Sequence, residues 1–467
     1  MGLDKFAQVI IVGTGPSGIF AAFELVQNGV GSIAMFEKGK GIEDRVCPLD
    51  AHAAHLCAKC ADCAIVQGWG GAGSFSDGKL TLSPEVGGQL SSYVGDELEA
   101  LIDEVDQRYL QFGAPPEVYG TGDVSDIADR AVTAGLRLIH SKIRHLGTGY
   151  SKEVLQRMYG YLVSHGVTVH LRSEVDRILT DEAGKVRGIR TAAGEEFGAE
   201  YVIVAPGRGN SEWLTQEAKR LGIPTEVNPV DLGVRVEVPA VVMRDITDRL
   251  YESKFVYYSK TFEDQVRTFC MCPNGKVTLE NNSGLVTVNG HSHAYEKTEN
   301  TNFALLVSKR FTKPFDDPIA YGKYVANLAN LLGRGVLVQR LGDLLMGRRS
   351  TEDRLKKGTV KPTLRDAAPG DLSLVLPYRI LTSILEMLEA LDRISPGVYS
   401  RDTLLYGVEV KFYSSRLKLT KELETTVRNL YAIGDGAGIT RGVVQASASG
   451  IIASRSILQR IGSAAGS

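Results

Sequence analysis

No apolar run in the 467 residues approaches the length of a membrane span, so a transmembrane protein is not expected. No excess of charge of either sign is present. The formal net charge is −2, which argues against a nucleic-acid surface or a polybasic membrane patch. MGLDKFAQV leads straight into a strand pattern, leaving no room for a signal peptide, and Phe6 stands where myristoylation at Gly2 needs Ser or Thr. Internal repeats and low-complexity linkers are absent. A second strand–glycine turn–helix unit is also lacking. APGRGN and GRGV have neither the strand–helix setting nor a later acid, so no dedicated nicotinamide domain is expected. What remains is a cytoplasmic protein of ordinary globular composition, 43% hydrophobic and 23% charged, long enough for two or three domains. In that compartment the six cysteines are thiols, metal ligands or catalytic groups rather than structural disulfides.

Glycine, by contrast, is abundant, at 51 residues. The stretch from Val9 to Glu37 reads strand, glycine turn, helix, strand. Val9 to Val12 is short, apolar and rich in β-branched residues, as a buried parallel strand is. Gly13, Gly15 and Gly18 then supply G-x-G-x-x-G. The first glycine allows a tight turn, the second lets a pyrophosphate approach the backbone, and the third lets the helix lie close on the sheet. The free N–H groups at the helix start would face the phosphates together with the helix dipole. Glu37 ends the second strand about 20 residues on, where an acid accepts hydrogen bonds from a ribose diol. A dinucleotide site is expected here.

Further along, Gly68, Gly70, Gly71 and Gly73, with Ser74, Ser76, Asp77, Gly78 and Lys79, form a loop read as ligand-binding, the alternative being an ordinary surface loop. Helices are predicted over 95–112 and over 151–165, the second with Ser151 as its N-cap, and a strand over 136–143. Tyr201 to Val204 reads as a strand ending in Ala205-Pro206-Gly207. Between 223 and 410 the pattern changes to short alternating strands (GVRVEVP, QVRTFCMC, KVTLE, LVTVNGH), a Pro273-Asn274-Gly275 turn, and helices near 321–332 and 380–393. Near the C-terminus, Leu430 to Ile433, Gly434-Asp435 and an Ala/Ser-rich run from Gly442 and Val443 are again strand, glycine turn and helix.

Polar candidates in the middle region are Arg267, Cys270, Cys272, His291, Arg348, Arg349, Glu409, Lys411, Tyr413 and, just past it, Arg416. On a regular strand Cys270 and Cys272 face the same side with Cα atoms about 6.6 Å apart, near the upper limit for a disulfide. They are two small core residues or a redox or substrate-contacting pair. Glu409, Lys411 and Tyr413 share one strand face, suited to an acid and a base or simply solvated. Cys57, Cys60 and Cys63, with Cys47 upstream, have the count for a [4Fe–4S] cluster. Zinc completed by His52 or His55, and plain thiols, are the open alternatives.

GTGPSG with Glu37, the APG turn and LYAIGD resemble the glutathione-reductase-type FAD flavoproteins. GWGGAGSFSDGKLTL, GVRVEVP, RTFCMCPNG, VLVQRLGDLL, LPYRIL and YGVEVKFYS extend the resemblance, over almost the whole chain, to a bacterial FAD-dependent dehydrogenase family of poorly characterised function. The resemblance implies an α/β fold: a discontinuous Rossmann-like FAD-binding domain at 1–222 and 411–467, and an inserted mixed α+β substrate domain at 223–410 that caps the flavin. It implies that Asp435 meets the ribityl chain or pyrophosphate and that the backbone near Val175 meets adenine. The expected cofactor-binding set is thus Gly13, Gly15, Pro16, Ser17, Gly18, Glu37, Lys38, Arg45, Gly71, Ala72, Gly73, Ser74, Lys79, Val175, Ala205, Gly207, Gly434, Asp435, Gly442 and Val443. The expected activity is hydride transfer between FAD and a small organic substrate, with NAD(P)H as a transient visitor. The alternatives are an electron carrier to a redox partner protein and a flavin-dependent RNA-modifying enzyme, the latter disfavoured by the near-neutral charge.

Overall fold

The computed structural model describes residues 5–47, 60, 63–75, 78–146, 148–250, 252–282, 284–292, 297–315, 317–413 and 415–465. The fold is α/β, and the chain divides into two compact units. Unit 1 comprises Met1–Val118, Lys142–Glu226 and Ser414–Ser467; unit 2 comprises Tyr119–Ser141 and Val227–Tyr413. No described helix is long and apolar enough to cross a membrane.

Unit 1 is built on a sheet whose strands run in the order Thr168–His170, Ile33–Phe36, Phe6–Val12, Glu196–Val204, Val186–Thr191, Val175–Thr180. The first four are parallel, and Leu430–Ala432 pairs in parallel with the far end of Glu196–Val204. The register aligns Val12 with Phe36 and Val204, and Val204 with Ala432. The carboxyl ends of these strands therefore lie along one edge, the edge at which open α/β sheets bind ligands. Val9, Ile10 and Ile11 are fully buried, which is why this strand is apolar without alternation. The helix Pro16–Gln27 packs on the sheet through Ile19, Phe20 and Phe23, all fully buried. The C-terminal helix Val443–Ala465 crosses it closely. A Cβ on Gly450 would stand 2.2 Å from the Ser17 carbonyl, and Ser454 Oγ donates to the Ala21 carbonyl at 3.0 Å. Small residues in this helix thus set a backbone-to-backbone contact.

Unit 2 centres on an eight-stranded sheet, in the order Ala368–Pro369, Leu337–Arg340, Leu404–Lys411, Val230–Pro239, Asn300–Lys309, Gln265–Cys272, Lys254–Tyr258, Leu136–Ile139. Val230, Leu232, Val234, Val236 and Val238 point to one face and join a core with Met243, Ala326, Ile384 and Leu388 from the helices Ala240–Thr247, Pro318–Gly333 and Tyr378–Ile394. Asp231, Arg235 and Glu237 point to the other face, and all three are fully buried. A hairpin of Lys276–Asn282 and Leu285–His291 lies against that polar face: a Cβ on Gly290 would stand 2.0 Å from Arg235 Nη2.

Three expectations change. The predicted strand over 136–143 is two strands, because its halves pair on different sheets: Leu136–Ile139 with Lys254–Tyr258, and Lys142–His145 with Lys79–Leu82. For the same reason Tyr119–Ser141 belongs to unit 2, where Val124, Ile127 and Ala131 enter its core, although the expected substrate domain began at 223. The second helix starts at Thr148, so Ser151 is buried within its first turn rather than capping it. Burial of Val154, Leu155, Met158 and Leu162 outweighs the capping preference of a single serine.

Unit 1 also contains a buried ion pair. Arg144 donates to Asp106 through Nε at 2.6 Å and Nη2 at 2.7 Å, and to the Pro115 carbonyl at 2.7 Å. Asp106→Ala would leave this guanidinium charged, buried and half-paired. Its expected cost is about 3–5 kcal/mol, read as a lower midpoint in urea denaturation; a loss below about 1 kcal/mol would mean the pair is solvated.

Candidate functional site

The turn after the first strand is shaped by two separate constraints. Gly13 has φ +104°, and a Cβ there would lie 2.2 Å from the Ala205 carbonyl, so neither conformation nor space admits a side chain. Gly15 differs. Its φ of −72° and ψ of −178° suit any residue, and the nearest atom to a Cβ would be Gly71 Cα, at 4.0 Å. The protein itself does not require glycine at this position. What glycine leaves is clearance above a helix start that has Pro16 in its first turn and no side-chain cap. Unsatisfied N–H groups, a helix dipole and empty space in front of them suit a phosphate.

Two more segments of unit 1 border this space. Gly71–Phe75 is a short 3-10 turn, and a Cβ on Gly73 would come within 3.3 Å of Val443 Cγ2 and 3.7 Å of Pro16 Cγ. At Gly434 (φ +73°) a Cβ would lie 2.2 Å from Ser17 Oγ, so the late glycine turn stands directly over the first helix. Ser449 Oγ accepts the Gly434 N–H at 3.1 Å. Asp435 follows, its side chain 17% exposed; Oδ1 accepts from Thr440 Oγ1 at 2.7 Å, and Oδ2 lies 3.4 Å from Arg208 Nε. Gly442 and Val443 lead into the C-terminal helix, so a second helix start reaches the same place. The Ala205–Gly207 turn closes this edge, with the Ala205 N–H held by the Val12 carbonyl at 2.7 Å.

Glu37 requires a correction. Its carboxylate was expected to accept from a ribose diol, but the structure turns it inward. Oε2 accepts from Thr14 N at 3.1 Å and Thr14 Oγ1 at 2.8 Å; Oε1 accepts from Gly39 N at 2.9 Å and Gly68 N at 3.0 Å. A carboxylate offers about four acceptor sites, and all are used. The cause is the loop 68–71 folding back over the strand end: Trp69 N donates to the Lys40 carbonyl and Gly70 N to the Thr14 carbonyl, both at 2.9 Å. Arg45 is likewise inward. Fully buried, it donates to the carbonyls of Ala64, Ile65, Trp69 and Gly71 at 2.6–3.0 Å. Burial pulls its pKa down to about 10, with Glu37 and Cys63 acting in the opposite direction, so it stays charged at neutral pH. Arg45 and Glu37 shape the loop and are not placed as cofactor contacts.

Among the other expected contacts, Lys38 Nζ is tied to Asn210 Oδ1 at 2.5 Å, Val175 is buried at the head of its strand, Ala72 is exposed and Lys79 is half-buried. The Ser74 side chain lies outside the described residues. So do Cys57, His52 and His55, which the proposed metal site needed. Cys47 and Cys63 are half-buried and Cys60 is exposed, and among the described residues no group of three metal-binding side chains gathers.

In unit 2 the expected acid and base are both tied up. Glu409 is fully buried and accepts from Arg235 Nη1 at 3.2 Å on each oxygen, while Lys411 Nζ lies 3.3 Å from Glu409 and 3.3 Å from Glu280. Burial works against the charge on Arg235 and Lys411, but Glu409 together with Cys272 and Cys270 at Arg235, and Glu409 together with Glu280 and Cys270 at Lys411, outweigh it and both pKa values are raised. Glu409 and Lys411 are thus an ion pair rather than a poised acid and base. Beside them Arg267 donates to Asp231 at 2.6 Å and to Tyr413 at 2.9 Å, and Tyr413 donates to Asp231. Arg348 pairs with Asp343 at 2.9 Å, and His291 and Arg349 are exposed. Arg416, in unit 1, bonds Gln89 and Glu226. Sequence reasoning missed Thr14, Arg208, Asp231, Arg235 and Glu237. The last three occupy the charged positions of VDLGVRVEVP, a pattern that reads as a solvated face unless something covers it.

Residues 229–412 match the family described as "FAD-dependent protein, C-terminal domain-like". Over 477 aligned residues the chain is 26% identical to an uncharacterised protein of Clostridium beijerinckii, covering 97% of this chain and 81% of that one. Among solved structures it is similar to glycine oxidase from Geobacillus kaustophilus at 14% identity and TM-score 0.38, covering 98% of this chain and 95% of the oxidase. It is also similar to L-proline dehydrogenase from P. horikoshii at 11% identity and TM-score 0.39, covering 98% and 94%. At those TM-scores no residue role is carried across.

The two glycines separate folding from binding. Gly15→Ala should leave the thermal midpoint within a few degrees of wild type but cut flavin retention at least about tenfold, because its Cβ enters only the open clearance above the helix start. Gly13→Ala should cost about 2 kcal/mol or more in stability. Equal thermal shifts in the two variants, or full flavin content in Gly15→Ala, would remove the ligand reading of that clearance.

Proposed function

We propose that this protein is an FAD-dependent oxidoreductase that moves a hydride between the flavin and a small organic substrate. The carrying observation is the empty space in front of Gly15, which is bordered by two helix starts and the Gly71–Gly73 turn. That donor set suits a pyrophosphate: backbone N–H groups at Ser17 and Gly18, plus a second glycine turn ending in Asp435. The likeness to glutathione-reductase-type flavoproteins in GTGPSG, APG and LYAIGD, and the family matched by residues 229–412, support FAD over other dinucleotides.

When bound, FAD supplies the two-electron chemistry; the rest falls to this chain. The glycine turn binds the phosphates. Glu37 and Arg45 keep the 63–71 loop in register with that turn. Asp435, anchored by Thr440, is left with acceptor capacity for a hydroxyl of the ligand. To unit 2, whose polar sheet face carries Asp231, Arg235, Arg267 and Tyr413, we assign the choice of substrate.

The purified protein should be yellow, and heat should release a chromophore with the mass of FAD. FMN, NAD or a colourless holoprotein would overturn the assignment. Asp435→Ala should weaken FAD binding by about 1–3 kcal/mol, measured by flavin fluorescence on titration, through lost charge-assisted hydrogen bonds. Unchanged affinity would take Asp435 out of the site.

A further inference from the structure

The strand Gln265–Cys272 does not keep its alternation to the end. Its pairing with Asn300–Lys309 slips between Phe269 and Cys272, and Cys270 sits at φ +48°. This bulge adds a residue on one side of the ladder and re-aims the side chains around it. The result brings Cys270 Sγ and Cys272 Sγ to 3.8 Å. In a bulge the span between the two residues is shorter than in an extended strand, so the objection that two cysteines two apart lie near the limit for a disulfide loses its force.

The surroundings are those of a reactive pair rather than of two core residues. Arg235 Nη2 donates to Cys272 Sγ at 3.3 Å and to the Cys270 carbonyl at 2.6 Å. That guanidinium is held in place by Glu409 and by Asn302 Oδ1, the latter at 2.8 Å, and Gly290 of the covering hairpin leaves room for it. A buried cation against a sulfur favours the thiolate. Asn302, fully buried, has an Nδ2 with no acceptor among the described residues, so the cluster has donor capacity to spare for added negative charge. Access is unequal: Cys270 is half-buried, whereas Cys272 is 2% exposed.

We propose that Cys270 and Cys272 form a redox-active dithiol that exchanges with low-molecular-weight disulfides. The Cys270 thiolate attacks one sulfur of the incoming disulfide; that S–S bond breaks, and the first thiolate leaves and takes up the proton Cys270 gave up. Cys272, deprotonated beside Arg235, attacks Cys270 Sγ; the mixed disulfide breaks, and the second thiolate leaves with the remaining proton. Two electrons pass to the substrate, two thiols are released, and the intramolecular Cys270–Cys272 disulfide is formed. This goes beyond the flavin reading and requires no bound flavin.

The full chain is incubated in glutathione buffers of graded ratio, quenched in acid, alkylated and digested with trypsin, and the peptide Thr268–Lys276 is weighed. Expected is a peptide lighter by two hydrogens and blocked to alkylation as the disulfide fraction rises, restored by dithiothreitol. In Cys272→Ser the reaction should stop at Cys270 as a glutathione mixed disulfide, and in Cys270→Ser the buried Cys272 should remain alkylatable after denaturation. A wild-type peptide that keeps both thiols in fully oxidised glutathione, or a bridge from either residue to another cysteine, overturns the proposal. The wild-type measurement stands alone if either variant fails to fold.

Discussion

Four donors converge on one buried carboxylate, and unit 1 is arranged around that convergence. Glu37 ends the second strand and binds Thr14 on the glycine turn, Gly39 just beyond itself, and Gly68 on the following loop. A carboxylate taken out of water must have its acceptor sites filled, and here they are filled by three chain segments that also bond one another through Trp69 N to the Lys40 carbonyl and Gly70 N to the Thr14 carbonyl. Arg45 does the reverse with donors, drawing the carbonyls of the same loop around a buried guanidinium. Between them, these opposite charges give a glycine-rich segment with little core of its own a defined path. The 71–73 turn stands beside the first helix start for that reason.

Unit 2 answers a related problem differently. Its central strand buries valines on one face and charges on the other, and neither face is solvated. Buried charge is tolerable only when paired, so Asp231 meets Arg267 and Tyr413, and Arg235 meets Glu409. Glu237 is the exception: it has hydrogen bonds from Asn300, Thr363 and Tyr406, and no cation within ion-pair distance among the described residues. Burial, more than those bonds can offset, raises its pKa. A buried polar network of this kind specifies one register for the sheet, since a one-residue slip would bring every charge into the valine core.

Much of unit 1 was legible from residue order. The strand Phe6–Val12, the helix beginning at Pro16, the late strand at Leu430 and the helix after Gly442 all announce themselves through local signals: β-branched runs, glycine spacing, small residues at a helix crossing. The polar face of unit 2 was not, because alternation shows which residues share a face and is silent about what covers it. Glu409 and Lys411 read either as an acid and a base or as a solvated strand face; Arg235 and Glu280, brought in from other strands, make them an ion-paired cluster. The bulge at Cys270 was equally hidden. It arises from pairing with a strand some thirty residues further on, and no local propensity encodes it.

By itself, then, the sequence determined the α/β class, the strand, glycine turn and helix that open unit 1, and the glycine that leaves clearance above that helix start. These follow from periodicity and from glycine's missing side chain, which are local properties. Only the tertiary structure decided which acids turn into the protein, which half of 136–143 joins which sheet, and which cysteines meet. Those outcomes depend on hydrogen-bond and ion-pair partners far away in sequence, and a buried charge takes its role from its partner rather than from its neighbours in the chain.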